Sequence, residues 1–333
     1  MFIGRRCVKR ISKTHSPERK LQHFIGQIGK KYVDSQLGAS SFPFTAVEFL
    51  CSSIFDMIEG LIVPHLCLAS VQAMFGTTPN IKHIVIGRCF TYTTLVQTGS
   101  RYDCEEIWRQ FEKAVVQRSS CNVTEEHYFK MFNMMPQIWP CDRFLFWSKT
   151  RMLVHSYAAV FRHFWTLEDT LVGYLFNDLI WCGQEEDSDF DFNYCPAWST
   201  CRTHPVYSLW KHASKNFAEM ACGNITVLLN GSIVNAFNRK SMFGSVELDS
   251  LNPQRVNYVN IKVVTNPEGP HIESCSRGSV VELIQILCSR GFRWTCTDND
   301  LTLVILQCIQ DLNQPSCKML ANSLLQQKDL TTT

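Results

Sequence analysis

Apolar residues recur at three- and four-residue intervals along much of this chain, most regularly between Thr166 and Gly183. Leu167, Leu171, Leu175 and Leu179 stand four apart with Val172, Phe176 and Ile180 beside them, a stripe that predicts one amphipathic helix. Thr166, followed three residues later by Asp169, predicts a capping-box start, and Gly183 tolerates a left-handed stop. Glu168 falls in the first turn. There the macrodipole favours a negative charge, which is reason enough for a carboxylate. A second reading, in which Glu168 points from the helix mouth into a site, stays open.

The same periodicity predicts helices over 104–117, with Ile107, Trp108, Phe111, Ala114 and Val115 on one face, and from Thr124, with Glu125 and Glu126 in the first turn. Two further helices are expected over 150–164 and 205–222. On the second, Trp210 and Ser214 lie one turn apart on a shared side. Phe144 to Trp147 reads as a short buried strand. After Cys222 the period becomes two: Ile225, Val227 and Leu229 alternate before a turn at Asn230 and Gly231. Val256–Val264, Phe292–Cys296 and Leu301–Ile309 are predicted strands, and Val280–Cys288 a helix stopped near Gly291. A mainly helical first part followed by strands mixed with helices suggests two subdomains, one α and one α/β.

Composition narrows the class. With 333 residues, 45% hydrophobic and 19% charged, the chain can bury one large core or two smaller ones. A net charge of +2 implies no general polyanion-binding surface, so nucleic acid is not an expected partner. Sixteen cysteines without CxxC pairs argue for a disulfide framework rather than zinc ribbons. Sequons at Asn122, Asn224 and Asn230 agree with a secretory compartment. The acids between Cys182 and Cys201 read as a solvated loop. Residues 1–31 are rich in Lys and Arg, with Glu18 their single acid, which suits a solvated tail or the cytoplasmic flank of a membrane anchor. The apolar stretch that follows makes a poor transmembrane helix, since Glu48, Asp56 and Glu59 interrupt it and Gly60–Ile81 contains Pro64 and His65. No signal peptide of ordinary form and no apolar lipid-anchor tail is visible, and residues 321–333 are polar.

From Cys89 onward, ordered motifs support a family. They include Cys89 after Gly87 and Arg88, 103–108 (Asp103 to Trp108), 121–126, 145–148, 166–175, 181–183 and 193–196. They continue through Pro205, Val206, Leu209, Trp210 and Lys211, then 217–222, 229–232 and 243–247, the last running from Phe243 to Glu247. Residues 82 to about 320 resemble the ADP-ribosyl cyclase/cyclic ADP-ribose hydrolase family, ectoenzymes that cleave NAD. The resemblance implies an α/β, disulfide-rich two-subdomain ectodomain: a helical part about 82–140 and 166–221, and a small, mostly parallel sheet with helices about 141–165 and 222–320. Residues 1–81 are then an atypical N-terminal region and 321–333 a tail.

The resemblance also implies six disulfides: Cys89–Cys104, Cys121–Cys201, Cys141–Cys222, Cys182–Cys195, Cys275–Cys296 and Cys308–Cys317. Cys288 is left over and, lying beside Val281 and Ile284, is expected as a buried free thiol. Cys195, Cys201 and His204 lack a usual zinc-ligand spacing, and no metal is expected.

In such enzymes the leaving group is a cationic pyridinium that departs neutral, so the bond needs no general acid, unlike an ordinary glycoside. It needs a carboxylate for the oxocarbenium-like ribosyl centre and walls that grip a flat cation and exclude water. Glu247 matches the family's catalytic carboxylate. Outside that context it would read as a surface residue on a strand. Trp147 and Trp210 match its aromatic walls, and Glu168 the acid that orients the nicotinamide carboxamide and influences whether the intermediate cyclises. The resemblance makes Ser214 a phosphate or ribose contact, and Ser241 and Phe243 members of the diphosphate loop. It makes Arg151 a basic residue that helps hold the cyclic product. Asn177 replaces a common acid, leaving Asp178 beside it, which alters the expected nicotinamide positioning. Met242 replaces a small polar residue, which should exclude attacking water and favour ring closure.

The implied function is conversion of NAD to nicotinamide with ADP-ribose and cyclic ADP-ribose, with NADP accepted for base exchange. NAD is substrate, and no cofactor is expected. A cell-surface or secreted protein, type II anchoring, a homodimer and a link to calcium signalling belong to the same implication. The rival is a receptor or adhesion ectodomain of this fold with little catalysis. Retention of Trp147, Glu168, Trp210 and Glu247 together favours the enzyme.

Overall fold

The structure is a computed structural model that describes residues 76–319 except 99, 162–163, 185–188, 198–200, 202 and 311–313. The basic N-terminal region up to residue 75, the polar tail and part of the acidic loop lie outside the described residues.

Four strands, β1 (Leu145–Ser148), β2 (Gly223–Asn230), β3 (Val256–Val264) and β4 (Trp294–Asp298), form a sheet in that order, every pair parallel. Parallel pairing requires crossovers, and helices supply them: α8 (Ser279–Ser289) carries β3 to β4, and a π-turn (Phe243–Glu247) with α7 (Leu248–Ser250) lies between β2 and β3. Both faces of β2 are therefore covered. Thr226 and Leu228 are as buried as Ile225, Val227 and Leu229, although the alternation predicted a one-sided strand.

The helical part comprises α1 (Ile81–Thr91), α2 (Cys104–Val115), α3 (Phe129–Asn133), α4 (Arg151–Val160), α5 (Leu171–Phe176) and α6 (Pro205–Met220). Asp103 caps α2 by accepting from the Glu106 amide at 2.9 Å. Phe111 anchors the aromatic core, 4.6 Å from Phe176 and 5.4 Å from Trp181 between ring centroids. Buried Trp181 and Tyr128 need partners for their polar tips. Trp181 Nε1 donates to the Tyr128 hydroxyl (3.0 Å), which donates to the Pro205 carbonyl (2.9 Å) and so ties the core to the start of α6. At its other end α6 seats Phe217 on the sheet, 5.2 Å from both Phe144 and Phe146.

Residues 76–78 are stitched into this domain, ahead of the boundary expected at residue 82. Thr77 is buried; its hydroxyl donates to the Cys182 carbonyl (3.2 Å) and accepts from the Cys182 amide (3.1 Å). A Cβ at Gly76 would lie 2.1 Å from the Phe192 carbonyl oxygen, so only glycine admits this approach.

The structure corrects several expectations. The long helix over 166–183 is two short pieces, a 3-10 turn (Leu167–Asp169) and α5, because Thr170 is extended and caps α5 by accepting from the Gly173 amide at 3.1 Å. Arg88 then ends α5 by donating to the Leu175 and Asn177 carbonyls at 3.0 and 2.8 Å. The helix expected from Thr124 likewise begins as a 3-10 turn (Glu125–Tyr128) before α3. The strand expected at Leu301–Ile309 is a helix, α9 (Leu301–Gln310), burying Leu303, Leu306 and Gln307 at helical spacing. A short apolar run does not distinguish a strand from a buried helix, and here Gln310 Nε2 anchors the helix to Ser156 Oγ of α4 at 2.6 Å. Six disulfides between described residues join the same pairs that the resemblance implies. Cys288 is not a free thiol but disulfide-bonded. The buried stripe of α8 is Val280, Leu283 and Leu287, and Cys288 lies half-buried beside it, accessible for pairing.

Candidate active site

A cavity of about 360 Å³ opens along β1, between it, α6 and the π-turn that follows β2. Three elements, two short turns and the long helix α6, bring carboxylates and rings to it.

The first is the 3-10 turn carrying Glu168. The Asp169 carboxylate accepts from the Thr166 amide and hydroxyl at 2.7 and 2.9 Å, holding the turn closed. A Cβ on Gly173 would lie 2.1 Å from the Leu167 carbonyl oxygen, so α5 can pack onto the turn only with glycine there. Glu168 sits within reach of Trp147, whose Nε1 points to Oε2 at 3.5 Å. Trp147 is near the end of β1. Beyond it Lys149, with φ 57°, turns the chain into α4 and also lines the cavity.

The second is α6. Its N-cap is His204, whose Nδ1 accepts from the Val206 amide at 3.2 Å, and Pro205 occupies the first turn, where its missing N–H leaves nothing unmet. Burial holds the His204 pKa below the ordinary imidazole value, which keeps Nδ1 an acceptor. Tyr207, Trp210 and Ser214 follow at i, i+3 and i+7 and all line the cavity.

The third is the π-turn, whose last residue is Glu247. Ser241 Oγ donates to the Asn238 carbonyl (2.7 Å) and accepts from the Gly244 amide (3.1 Å), capping the turn. A Cβ at Gly244 would lie 2.3 Å from the Asn238 carbonyl oxygen. That close approach presses the turn inward and brings Glu247 to the cavity floor, 8% exposed beside Ser214 at 1%. Burial raises the Glu247 pKa to about 8. The hydrogen bond from Ser214 opposes the rise, and the nearby Glu168 charge adds to it.

Of the residues singled out in the sequence, Trp147, Glu168, Trp210, Ser214, Ser241, Met242, Phe243 and Glu247 therefore line one cavity. Phe243 is almost wholly buried, 6.2 Å from Phe146 and 6.1 Å from Phe237 between ring centroids, and serves packing as much as lining. Arg151, Asn177 and Asp178 are brought together elsewhere. Arg151 donates to both Asp178 carboxylate oxygens (2.6 and 2.8 Å) and to Asn177 Oδ1 (3.3 Å) in an exposed cluster, and none of the three lines the cavity. Sequence reasoning missed Lys149 and Tyr207. Their signals were positional: Lys149 stands two residues beyond Trp147, and Tyr207 one turn before Trp210. Among the described residues no group of three or more His, Cys, Asp or Glu side chains could hold a metal ion.

The arrangement can bind a flat cation between indole rings, worth on the order of 0.5–2 kcal/mol per contact. It can also present a dry carboxylate to a positive centre that develops beside it. Against known proteins, the ADP-ribosyl cyclase family model matches residues 78–317. ADP-ribosyl cyclase/cyclic ADP-ribose hydrolase 1 of Mus musculus is 38% identical over 267 residues, 79% of this chain and 88% of the relative. The human ADP-ribosyl cyclase/cyclic ADP-ribose hydrolase 2 is 33% identical over 246 residues, 73% of this chain and 77% of the relative. Among solved structures, porcine CD38 with a covalent intermediate, ribo-F-ribose-5'-phosphate, superposes with TM-score 0.66 at 37% identity, covering 68% of this chain and 99% of that one. Aplysia cyclase complexed with substrate NGD and product cGDPR gives 0.69 at 31% identity, covering 74% and 99%.

Proposed function

The chain belongs to the ADP-ribosyl cyclase family, and from that premise we propose how its own residues cleave the nicotinamide–ribose bond of NAD. It is an enzyme of the NAD glycohydrolase, ADP-ribosyl cyclase and cyclic ADP-ribose hydrolase type. The observation that carries the assignment of roles is Glu247, a carboxylate buried at the floor of the cavity that Trp147, Trp210 and Glu168 also line.

The nicotinamide ring enters between Trp147 and Trp210, and its positive charge lowers the energy of ionised Glu247, whose proton moves to solvent as the substrate seats. The C–N bond to ribose then lengthens. Its electron pair returns to the pyridinium nitrogen, which leaves neutral, while the Glu247 carboxylate stabilises the cationic C1' and takes it as a ribosyl intermediate. Glu168 holds the nicotinamide carboxamide by accepting its N–H. Lys149 meets the diphosphate, and Ser214 keeps the Glu247 carboxylate oriented by its hydrogen bond. Water attacking C1' displaces the Glu247 carboxylate and loses a proton to solvent, giving ADP-ribose; attack by a ring nitrogen of the substrate's own adenine displaces the same carboxylate and gives cyclic ADP-ribose. Met242, half-buried at the cavity wall, narrows the space for water and favours closure. Arg151 is left a supporting part at the surface, since Asp178 already meets its charge.

We assign glycans to Asn122, Asn224 and Asn230; the first two are exposed and the third half-buried. The disulfide-rich domain is of the extracellular type. Among the described residues no helix is long and apolar enough to cross a membrane. Type II anchoring through the N-terminal region, a homodimer, base exchange on NADP and a product that signals to calcium stores complete the proposal. Hydrolysis of a fluorescent NAD analogue by secreted protein beginning before Gly76, beside Glu247→Gln, tests it. Release of product by wild type and its loss in the variant are expected; equal rates would remove Glu247 from the mechanism.

A further inference from the structure

Resting on that reading of the cavity, we infer that Tyr207 forms a stacking shelf for the adenine of the dinucleotide, and so sets the preference for a dinucleotide over a mononucleotide substrate. The cavity has a direction. Its floor is marked by Glu247 and Ser214, both nearly inaccessible, and the scissile bond must lie there. From Ser214 the lining stripe of α6 climbs through half-buried Trp210 to half-buried Tyr207 in the first turn. Seven residues of helix separate the two ends, ~10 Å along the axis. That is the length scale over which two riboses and a diphosphate separate the reacting carbon from the second base. Lys149, also at the cavity, supplies the positive charge that the anionic linker between the bases requires.

The chemistry at Tyr207 suits what stands at that distance. A purine is neutral and flat, and is gripped by an aromatic face rather than by a charge. Tyr207 is the aromatic residue that lines the cavity at this distance, with Val206 beside it. Trp147 and Trp210 are nearer the reacting end, where the cationic ring must sit. Tyr207 thus adds an aromatic surface for the other end of the same molecule.

The test compares NAD with nicotinamide mononucleotide, which carries the same scissile bond and no adenosine, for wild type, Tyr207→Ala, Tyr207→Leu and Tyr207→Phe. The ratio of kcat/KM for NAD to that for the mononucleotide should fall about tenfold in Tyr207→Ala, equivalent to about 1.4 kcal/mol, which lies within the range known for base–aromatic stacking. The loss should be carried by KM for NAD. Tyr207→Leu, which keeps bulk without a ring, should fall in the same direction, and Tyr207→Phe should hold the wild-type ratio within about twofold. General damage to the fold affects both substrates alike and leaves the ratio unmoved. An unmoved ratio in Tyr207→Ala and Tyr207→Leu, with wild type active, overturns the inference alone. Wild type inactive on both substrates overturns the proposed function, and the inference with it.

Discussion

Replacing Glu247 by Gln separates the two consequences of burying a carboxylate. Glutamine keeps the shape and can still accept the Ser214 hydrogen bond, but it cannot ionise. Burial holds the Glu247 pKa at about 8 instead of 4.5, so between those values the folded chain keeps a proton that the unfolded chain has released. Stability therefore falls as pH rises through this window. At 1.36 kcal/mol per pH unit the full displacement corresponds to roughly 4–5 kcal/mol against the ionised folded state. Relaxation and entry of water recover part of that, leaving about 2–4 kcal/mol. For a domain of this size that is on the order of 5–10 °C in Tm. Thermal unfolding of both proteins from pH 5 to 9 is the assay. The two should come closest at pH 5, the acid end of this range, and the variant should be clearly the more stable above pH 8, while its activity is at least about a hundredfold lower. Parallel Tm curves across that range would refute the argument that the carboxyl is dry in the folded state.

Other expectations follow from the same geometry. In the free enzyme kcat/KM should rise from pH 6 to about 8 as Glu247 ionises, and Glu168→Gln, by removing a like charge, should move that rise to lower pH. A pH–rate profile of the two proteins checks it. Met242→Thr should lower the cyclic fraction of the product, read by chromatography of the NAD digest; an unchanged fraction removes Met242 from product choice. Thr77→Val strands the Cys182 amide and carbonyl, and should cost about 1–3 kcal/mol in stability while leaving KM for NAD unchanged, measured by thermal shift beside steady-state kinetics.

Linear patterning announced much of this molecule. Strand β3 and helix α6 are legible because long periodic runs leave few alternatives, and the capping pair of Thr166 and Asp169 is a local interaction that needs no distant partner. Compositional bias in the cysteines pointed to a disulfide framework, and ordered motifs around Trp147, Trp210 and Glu247 pointed to the chemistry. Tertiary structure decided the rest. Arg88 ends α5 from 87 residues away, and sheet coverage makes β2 apolar on both faces. Docking on α4, where Gln310 reaches Ser156, makes a helix of Leu301–Gln310. The Glu247 pKa likewise depends on desolvation by elements remote in sequence, and the climb from Ser214 to Tyr207 has meaning only once Glu247 marks the floor. Local propensity acts over a few residues, whereas burial and field act through space, and a functional cavity is made of the second kind.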